Sequence, residues 1–339
     1  MEKENRQRIL VTGGGGFLGK AIVRKLIQRG ENVTTFSRNR YPELDSLGVT
    51  QVQGDLADPD DTLKAVRGMD LVFHTAAKAG VWGSHDSYHR PNVTGTRNLL
   101  AACKQQGVPR LIHTSSPSVV FDGRDMEGVD ESVPYPEKFH TPYTETKAMA
   151  EREVLAAARD GLRVIVLRPH LIWGPEDPHI VPRILERADK LVRVGKRENL
   201  VDTIYIDNAA DAHLLAADKL RENPALSGNI YFISNDEPIP LWDIINGILK
   251  AGGREPVTRT LPHGVVRTIG AVLEGIYRLF RIDAEPKMTR FVADELATAH
   301  WFDISAVKRD LGYAPGVSIK EGLIRLEEWL QQTGRKHSR

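Results

Sequence analysis

The chain of 339 residues has little cysteine: Cys103 is the only one. One thiol cannot build an intrachain disulfide framework, and with no second thiol near it Cys103 reads as buried filler in a protein of a reducing compartment. Charge of one sign is also lacking, since 46 basic side chains face 45 acidic ones. That balance leaves little field to hold a polyanion, so no nucleic-acid partner is expected. His85 and His89 stand four apart, but no Cys, His or carboxylate cluster completes a shell around them, so no metal is expected. Long apolar runs are missing as well. Residues 1 to 8 are highly charged, so no secretory leader is expected and the protein reads as cytoplasmic. Gly264 to Phe280 is apolar but broken by Arg267, Glu274 and Arg278, which makes it too short and too charged to cross a bilayer. It reads as core packing or an amphipathic lid over a greasy substrate; peripheral contact of 264–281 with a membrane or a pathway partner is the alternative. No fixed repeat or low-complexity tract is evident.

What the sequence does have is a strand that turns through four consecutive glycines into a helix, over Arg8 to Gly19. Ile9, Leu10 and Val11 suit a strand buried on both faces, and Ala21, Ile22, Leu26 and Ile27 recur at helical spacing. Such a junction offers unpaired helix N–H groups and the positive end of the helix dipole to a pyrophosphate, provided no side chain blocks its approach. Two spacings fit, Gly14-x-Gly16-x-x-Gly19 and Gly13-x-x-Gly16-x-x-Gly19, and both stay open at this point. Gly13, Gly16, Phe17, Leu18 and Gly19 are therefore candidate dinucleotide residues.

The next strand, Asn32 to Phe36, ends in Ser37-Arg38-Asn39-Arg40. An acid at that end would accept hydrogen bonds from a ribose 2′-hydroxyl and repel a 2′-phosphate. Ser37 stands there instead, and the Arg38 guanidinium can pair with a phosphate through two hydrogen bonds, so NADP(H) is favoured and NAD(H) stays open. A third strand, Val49 to Val52, leads to Asp55 and Leu56, a carboxylate and an apolar wall for an adenine. Asp58-Pro59 then starts a helix as N-cap and first residue. The fourth strand, Asp70 to His74, runs into Ala76, Ala77 and Lys78, where small residues let the backbone approach a cofactor. Ser84 to Gln106 reads as one long helix, and a fifth strand, Arg110 to His113, ends in Thr114-Ser115-Ser116. This alternation predicts an α/β fold with a doubly wound parallel sheet that binds ligands at the carboxyl ends of its strands.

Tyr143 and Lys147 open the following helix and, four apart, share a face. A phenol with a reference pKa of about 10 is a poor base near neutrality unless a nearby ammonium favours the phenolate. Lys147 can supply that charge, and a strand-end hydroxyl, Ser116 or its neighbour Ser115, can hydrogen-bond the substrate oxygen while the phenol exchanges a proton with it.

Together with Gly54-Asp55-Leu56 and Leu167-Arg168-Pro169-x-x-Ile172-Trp173-Gly174-Pro175, these motifs resemble those of the extended short-chain dehydrogenases over almost the whole chain. Thr114 to Phe121 and Asn199 to Asn208 are similar to the 3β-hydroxysteroid dehydrogenase branch. Ala76 to Ser84, Asp86 to His89, Tyr231 to Asn235 and Thr289 to Phe291 resemble the bacterial 2-alkyl-3-oxoalkanoate reductases of olefin biosynthesis. The resemblance implies that Tyr143 is the acid/base, that Lys147 also holds the nicotinamide ribose, and that Pro169, Leu171 and Ile172 flank the nicotinamide. It further implies a homodimer formed through the helices around 84–106 and 142–160. On this basis residues 1–174 are expected to be mainly the cofactor-binding Rossmann domain. Residues 175–339 are expected to be mainly the substrate-binding region, with returning elements that complete the sheet.

Beyond Pro175, prolines interrupt the pattern as substrate-side insertions would. Asp207 reads as the N-cap of a helix, and Trp82, Trp173 and Tyr205 are weighed as pocket wall against plain core. The expected reaction is NADPH-dependent reduction of the 3-keto group of a long apolar acyl substrate. Oxidation of a 3β-hydroxysteroid or a sterol 4-carboxylate, nucleotide-sugar epimerisation, and a cofactor-binding scaffold without turnover are the alternatives.

Overall fold

A computed structural model describes residues 6–337. Residues 1–5, on which part of the leader argument rests, lie outside them. Seven parallel strands form the central sheet: β1 (Arg8–Thr12), β2 (Asn32–Ser37), β3 (Thr50–Gln53), β4 (Leu71–His74), β5 (Arg110–Thr114), β6 (Arg163–Pro169) and β7 (Ile230–Ile233), in the order β7-β6-β5-β4-β1-β2-β3. The winding reverses between β1 and β4, whose register pairs Val11 with Phe73 and Thr12 with His74. A reversal of this kind opens a crevice at the carboxyl ends of the strands.

The strands alternate between two cores, as a period of two requires. Ile9, Val11, Phe73, Ile112 and Ile165 face α1 (Phe17–Gln28) and α5 (Ile206–Glu222), while Leu10, Val72, Leu111 and Val164 face α2 (Pro59–Val66), α3 (Gly95–Gln106) and α4 (Pro142–Arg159). Cys103 is buried in the second core, where burial pushes its thiol up to about 12. A smaller sheet joins Ile239–Pro240, Leu200–Val201, His300–Phe302 and Met126–Val129, and beside it lie α6 (His263–Leu279) and α7 (Arg290–Ala297).

Three expectations need adjusting. The long helix from Ser84 is interrupted: Ser84 caps His85–His89, a π-helical turn follows over Arg90–Thr94, and α3 begins at Gly95. Pro91 lies in that turn, and a proline lacks the N–H that a regular helix needs and clashes with the carbonyl four residues back. Asp207 is not an N-cap, because α5 begins one residue before it, after Tyr205. Trp173 and Tyr205 are both buried in the core, packed edge to face with centroids 5.5 Å apart, and the Trp173 indole donates to Thr203 Oγ1 at 3.0 Å.

The α6 segment is core on one side only. Val266, Gly270 and Glu274 are buried, and Gly270 lies against the Thr289–Arg290 backbone, where a Cβ would come within 2.7 Å of the Thr289 carbonyl carbon. Val265, Ile269, Val272, Ile276 and Leu279 are exposed. Among the described residues no helix is long and apolar enough to cross a membrane.

Candidate active site

The carboxyl ends of β1, β4, β5 and β6 converge on one edge of the sheet, and the residues singled out from the sequence lie there. At the end of β1 the Gly13 amide donates to Phe36 O at 2.9 Å, and Gly13 itself has φ +70. A Cβ at Gly13 would stand 2.9 Å from Ala76 Cα, and one at Gly19 would run into the Gly13 carbonyl. Gly16 is the N-cap of α1 and brings no side-chain cap, so Phe17 and Leu18 begin a helix whose first N–H groups are left for something else. A Cβ at Gly14 would run into the Thr35 side chain at 2.3 Å and lie 3.3 Å from Val11 O, and one at Gly16 would lie 3.2 Å from Gly13 O. The sharpest backbone demand therefore falls on Gly13 and Gly19. A cradle that any Cβ would fill, with an uncapped helix start beside it, fits a dinucleotide pyrophosphate.

Around this cradle, Ser37 turns its hydroxyl onto Asn39 O at 2.8 Å, and Arg40 is tied to Asp45 at 2.8 Å. Arg38 is exposed and makes no ion pair among the described residues. No carboxylate occupies positions 37–40. Asp55 accepts from Arg90 Nη2 at 2.8 Å and from the Ala57 amide at 2.9 Å, while Leu56 packs against Gly95. The strand exit Ala76-Ala77-Lys78 is held by a residue that sequence reasoning passed over. Asn92, buried in the π-helical turn, accepts from the Lys78 amide at 2.7 Å and donates to Lys78 O and Thr146 Oγ1, both at 3.1 Å. Lys78 Nζ donates to Ser87 Oγ at 2.8 Å and lies over the Tyr88 ring.

The catalytic candidates come from β5 and α4. Thr141 caps α4, its side chain and that of Thr144 each serving the other's backbone, and Pro142 fills the first helical position. This fixed start carries Tyr143, Lys147 and Glu151 on one face, one turn apart. Lys147 is buried and donates to Thr114 O at 2.6 Å; burial pulls its ammonium down to about 8 against the opposing charge of Glu151. Glu151 is itself buried and paired with Arg168 of β6, and it accepts from Tyr135 at 2.7 Å.

The Tyr143 phenol is pushed above its ordinary value, chiefly by burial, with the Ser116 hydroxyl opposing and the Glu295 and Tyr88 charges adding to the rise. This departs from the expectation that Lys147 would draw the phenol down. Ser116 Oγ lies 2.9 Å from Ser118 Oγ and caps the short turn after β5. Ser115 Oγ is buried and has no hydrogen-bond partner among the described residues. Of the two serines, Ser116 is the one brought to the phenol.

Pro169 closes β6, and Leu171 follows at φ 47, a left-handed conformation that costs a branched residue about 1–3 kcal/mol. Ile172 pairs with Ile204 in a short parallel ladder that fixes this turn. Between them lies His170, a second residue absent from the sequence reading. His300 Nε2 lies 3.1 Å from the Glu295 carbonyl and His300 Nδ1 lies 2.8 Å from His170 Nε2. A carbonyl only accepts, so His300 donates from Nε2 and receives the His170 Nε2 proton at Nδ1. Burial holds both rings below the usual histidine range and hence neutral.

Beside the start of α4, a cavity of about 510 Å³ opens between residues 81–84, 139–142, α6 and α7, with Trp82, Phe139, Pro142, Tyr277 and Phe291 in its wall. Arg267, Arg278, Arg281 and Arg290 line it together with Glu274, Asp283 and Asp294, and of the four arginines Arg281 has no ion pair among the described residues. Of the three aromatics weighed, Trp82 lines this cavity, and Tyr205 borders a separate one between α1 and the start of α5.

A family model described as the 3-beta hydroxysteroid dehydrogenase/isomerase family matches residues 10–263. The chain is 52% identical over 327 residues to a 2-alkyl-3-oxoalkanoate reductase of Shewanella oneidensis, covering 94% of this chain and 84% of that one. A protein of the same name from Stenotrophomonas maltophilia is 50% identical, with 94% and 98% covered. Among solved structures, MoeE5 in complex with UDP-glucose and NAD superposes with a TM-score of 0.74 at 25% identity, over 96% of this chain and 99% of that one.

Proposed function

The chain belongs to the 3-beta hydroxysteroid dehydrogenase/isomerase family and is an oxidoreductase of that family, and from this premise we propose that it reduces the 3-keto group of a 2-alkyl-3-oxoalkanoate with NADPH. The observation that carries the reading is the state of Tyr143: burial keeps its phenol protonated beside the Ser116 hydroxyl, and a protonated phenol is the form that can give a proton to a carbonyl oxygen. When bound, the reduced nicotinamide supplies the hydride that adds to the carbonyl carbon. Ser116 donates a hydrogen bond to the carbonyl oxygen, and Tyr143 transfers its Oη proton to that oxygen as charge develops there. Lys147, one turn along α4, places a positive charge beside the phenolate left behind. Gly13, Gly16 and the first N–H groups of α1 would hold the pyrophosphate, with Ala76, Ala77 and Lys78 lining the way to the reacting edge. Pro169, Leu171 and Ile172 would flank the nicotinamide ring. Arg38, unpaired where an NAD site would carry an acid, supports NADPH. The cavity's aromatic wall suits a molecule with an apolar chain, and Arg281, with no ion pair among the described residues, is the cation available to its carboxylate.

The test is the absorbance at 340 nm with NADPH or NADH and a 2-alkyl-3-keto acid, compared with a 3β-hydroxysteroid and NADP⁺ or NAD⁺. NADPH oxidation by the keto acid is expected, reduced about 10²–10⁴-fold in Tyr143→Phe. Arg38→Glu should raise the KM for NADPH about tenfold or more and leave that for NADH nearly unchanged. Turnover of the steroid alone would overturn the reading in favour of a steroid dehydrogenase.

A further inference from the structure

Tyr88 belongs to the short helix His85–His89 and is buried, yet its hydroxyl reaches beyond that helix to donate to Trp82 O at 2.8 Å. Burial, with the Glu285 charge adding to it, holds the phenol above its ordinary value, so the hydroxyl stays a donor at neutral pH. The Tyr88 ring also meets the Tyr143 ring edge to face, with centroids 6.4 Å apart. One side chain thus joins the proton donor of the reaction to the segment 81–84 that walls the cavity beside α4.

That segment has few other anchors. Asn92 clips its start at Lys78, and Ser84 closes its end by capping His85–His89. Between them, over residues 79–83, two hydrogen bonds hold it among the described residues: the one from Tyr88, and one from the Trp82 indole to Ile282 O at 3.2 Å. Gly80 and Gly83, at φ +124 and +139, bend the segment round the Tyr88 side chain. A Cβ at Gly80 would stand 3.0 Å from Tyr88 Oη, and one at Gly83 would stand 3.2 Å from Tyr88 Cε2. Trp82 in turn meets Tyr277 of α6 edge to face, with centroids 6.2 Å apart. Contacts therefore run without a break from Tyr143 through Tyr88 and Trp82 to α6.

We propose that Tyr88 is a positioning residue of the reaction: its hydroxyl holds the Trp82 segment as a wall for the substrate, and its ring fixes the direction of the Tyr143 phenol. The two halves of the side chain have separable tasks. The hydroxyl acts on substrate binding, because without it residues 79–83 keep only the bond from the Trp82 indole. The ring acts on the chemical step, because a reacting group displaced by about 1 Å can lose about 10²-fold in rate. The cofactor cradle at Gly13 and Gly19 depends on neither. This role rests on the reading of Tyr143 as proton donor and of the cavity as the substrate's.

The experiment compares the full chain with Tyr88→Phe and Tyr88→Leu, by fluorine NMR of fluorotryptophan-labelled protein without substrate or cofactor, and by steady-state kinetics with the keto acid and NADPH. Trp82→Phe assigns the Trp82 signal. Tyr88→Phe removes the hydroxyl alone, so the Trp82 signal should shift while those of Trp173, Trp242, Trp301 and Trp329 stay in place. The KM for the keto acid should rise about fivefold, the scale of one lost hydrogen bond, with kcat and the KM for NADPH within about twofold. Tyr88→Leu removes the ring as well, and kcat should fall about tenfold or more; Tyr88→Phe carries the test by itself where Tyr88→Leu does not fold. An unmoved Trp82 signal in Tyr88→Phe would overturn the proposal, and so would a shifted signal with an unchanged KM, or kcat and both KM values moving together. A parent chain that turns over the steroid and not the keto acid fails the substrate reading instead, and the same split of KM from kcat is then read on the steroid. With a parent chain inert towards both, the Trp82 signal still decides whether Tyr88 holds the segment.

Discussion

Ser115 and Ser116 are adjacent in sequence, and their environments give them opposite fates. Ser116 opposes the rise of the Tyr143 phenol and shares a hydrogen bond with Ser118, whereas Ser115 Oγ is buried without a partner among the described residues. A buried hydroxyl with no partner carries a desolvation cost that alanine removes. Ser116→Ala should therefore lower kcat for the keto acid about tenfold or more, the scale of one lost donor to a developing oxyanion, while Ser115→Ala leaves kcat within about twofold. Steady-state kinetics on the two variants, with their denaturant midpoints as a check on folding, decides the assignment. The sequence could not, because both hydroxyls follow β5 and only the direction of the strand end separates them. Tyr143 and Lys147 were legible for the opposite reason: a four-residue spacing on a helix is a local rule that needs no knowledge of the fold. Glu151, eight residues after Tyr143 on the same face, carried the same signal and was passed over. Its partner Arg168 lies on another strand, and nothing local announces the pair.

At the scale of elements, the strands and the capped start of α4 were readable because caps, prolines and apolar runs act over a few residues. Asp207 shows the limit of that reading. An Asp-Asn pair ahead of an apolar helix looks like a cap, yet α5 starts one residue earlier, and Asn208 is drawn inward to accept from the Gly316 and Val317 amides at 3.0 Å and to donate to Val317 O at 2.7 Å. Those partners lie more than a hundred residues away. The π-helical turn at Arg90–Thr94 is a similar case, visible only as Pro91 inside an otherwise helical pattern. Its function follows from Asn92, whose side chain clips Lys78 N and O and Thr146 Oγ1 and so ties the cofactor side of β4 to the catalytic helix. Asn92→Ala removes all three bonds and leaves buried backbone groups without partners. It should cost about 1–3 kcal/mol of stability and raise the KM for the nicotinamide cofactor more than it lowers kcat. A urea titration beside cofactor saturation curves checks both, and an unchanged KM would make Asn92 a structural residue alone.

For the molecule as a whole, burying so many histidines ties the fold to pH. His74 is pulled down to about 3 and His213 to about 4 by burial, and His113, His170 and His300 are lowered for the same first cause. In the unfolded chain each returns to about 6.5. Since the folded values are depressed, the stability these groups allow is complete above about pH 6.5 and is lost as pH falls from there towards the folded values, where the unfolded chain holds the extra protons. Four carboxyls act in the other direction, since burial also raises Glu131 and Asp177. Glu295 is raised to about 7 and Asp202 to about 6 by burial, so each takes its proton early in the folded state and relieves its own burden as pH falls. Five depressed histidines outnumber four raised carboxyls, so the unfolded state holds the larger share of protons between about pH 6 and pH 4, and urea midpoints should fall as pH drops through that range. His113 is the sharpest probe, because neither of its ring nitrogens has a hydrogen-bond partner among the described residues. Replacing it with an apolar ring removes one proton from the excess without breaking a hydrogen bond, so His113→Phe should match the parent chain at pH 7.5 and have the higher urea midpoint at pH 5. Equal pH slopes for the two chains would show that His113 does not contribute to the acid lability.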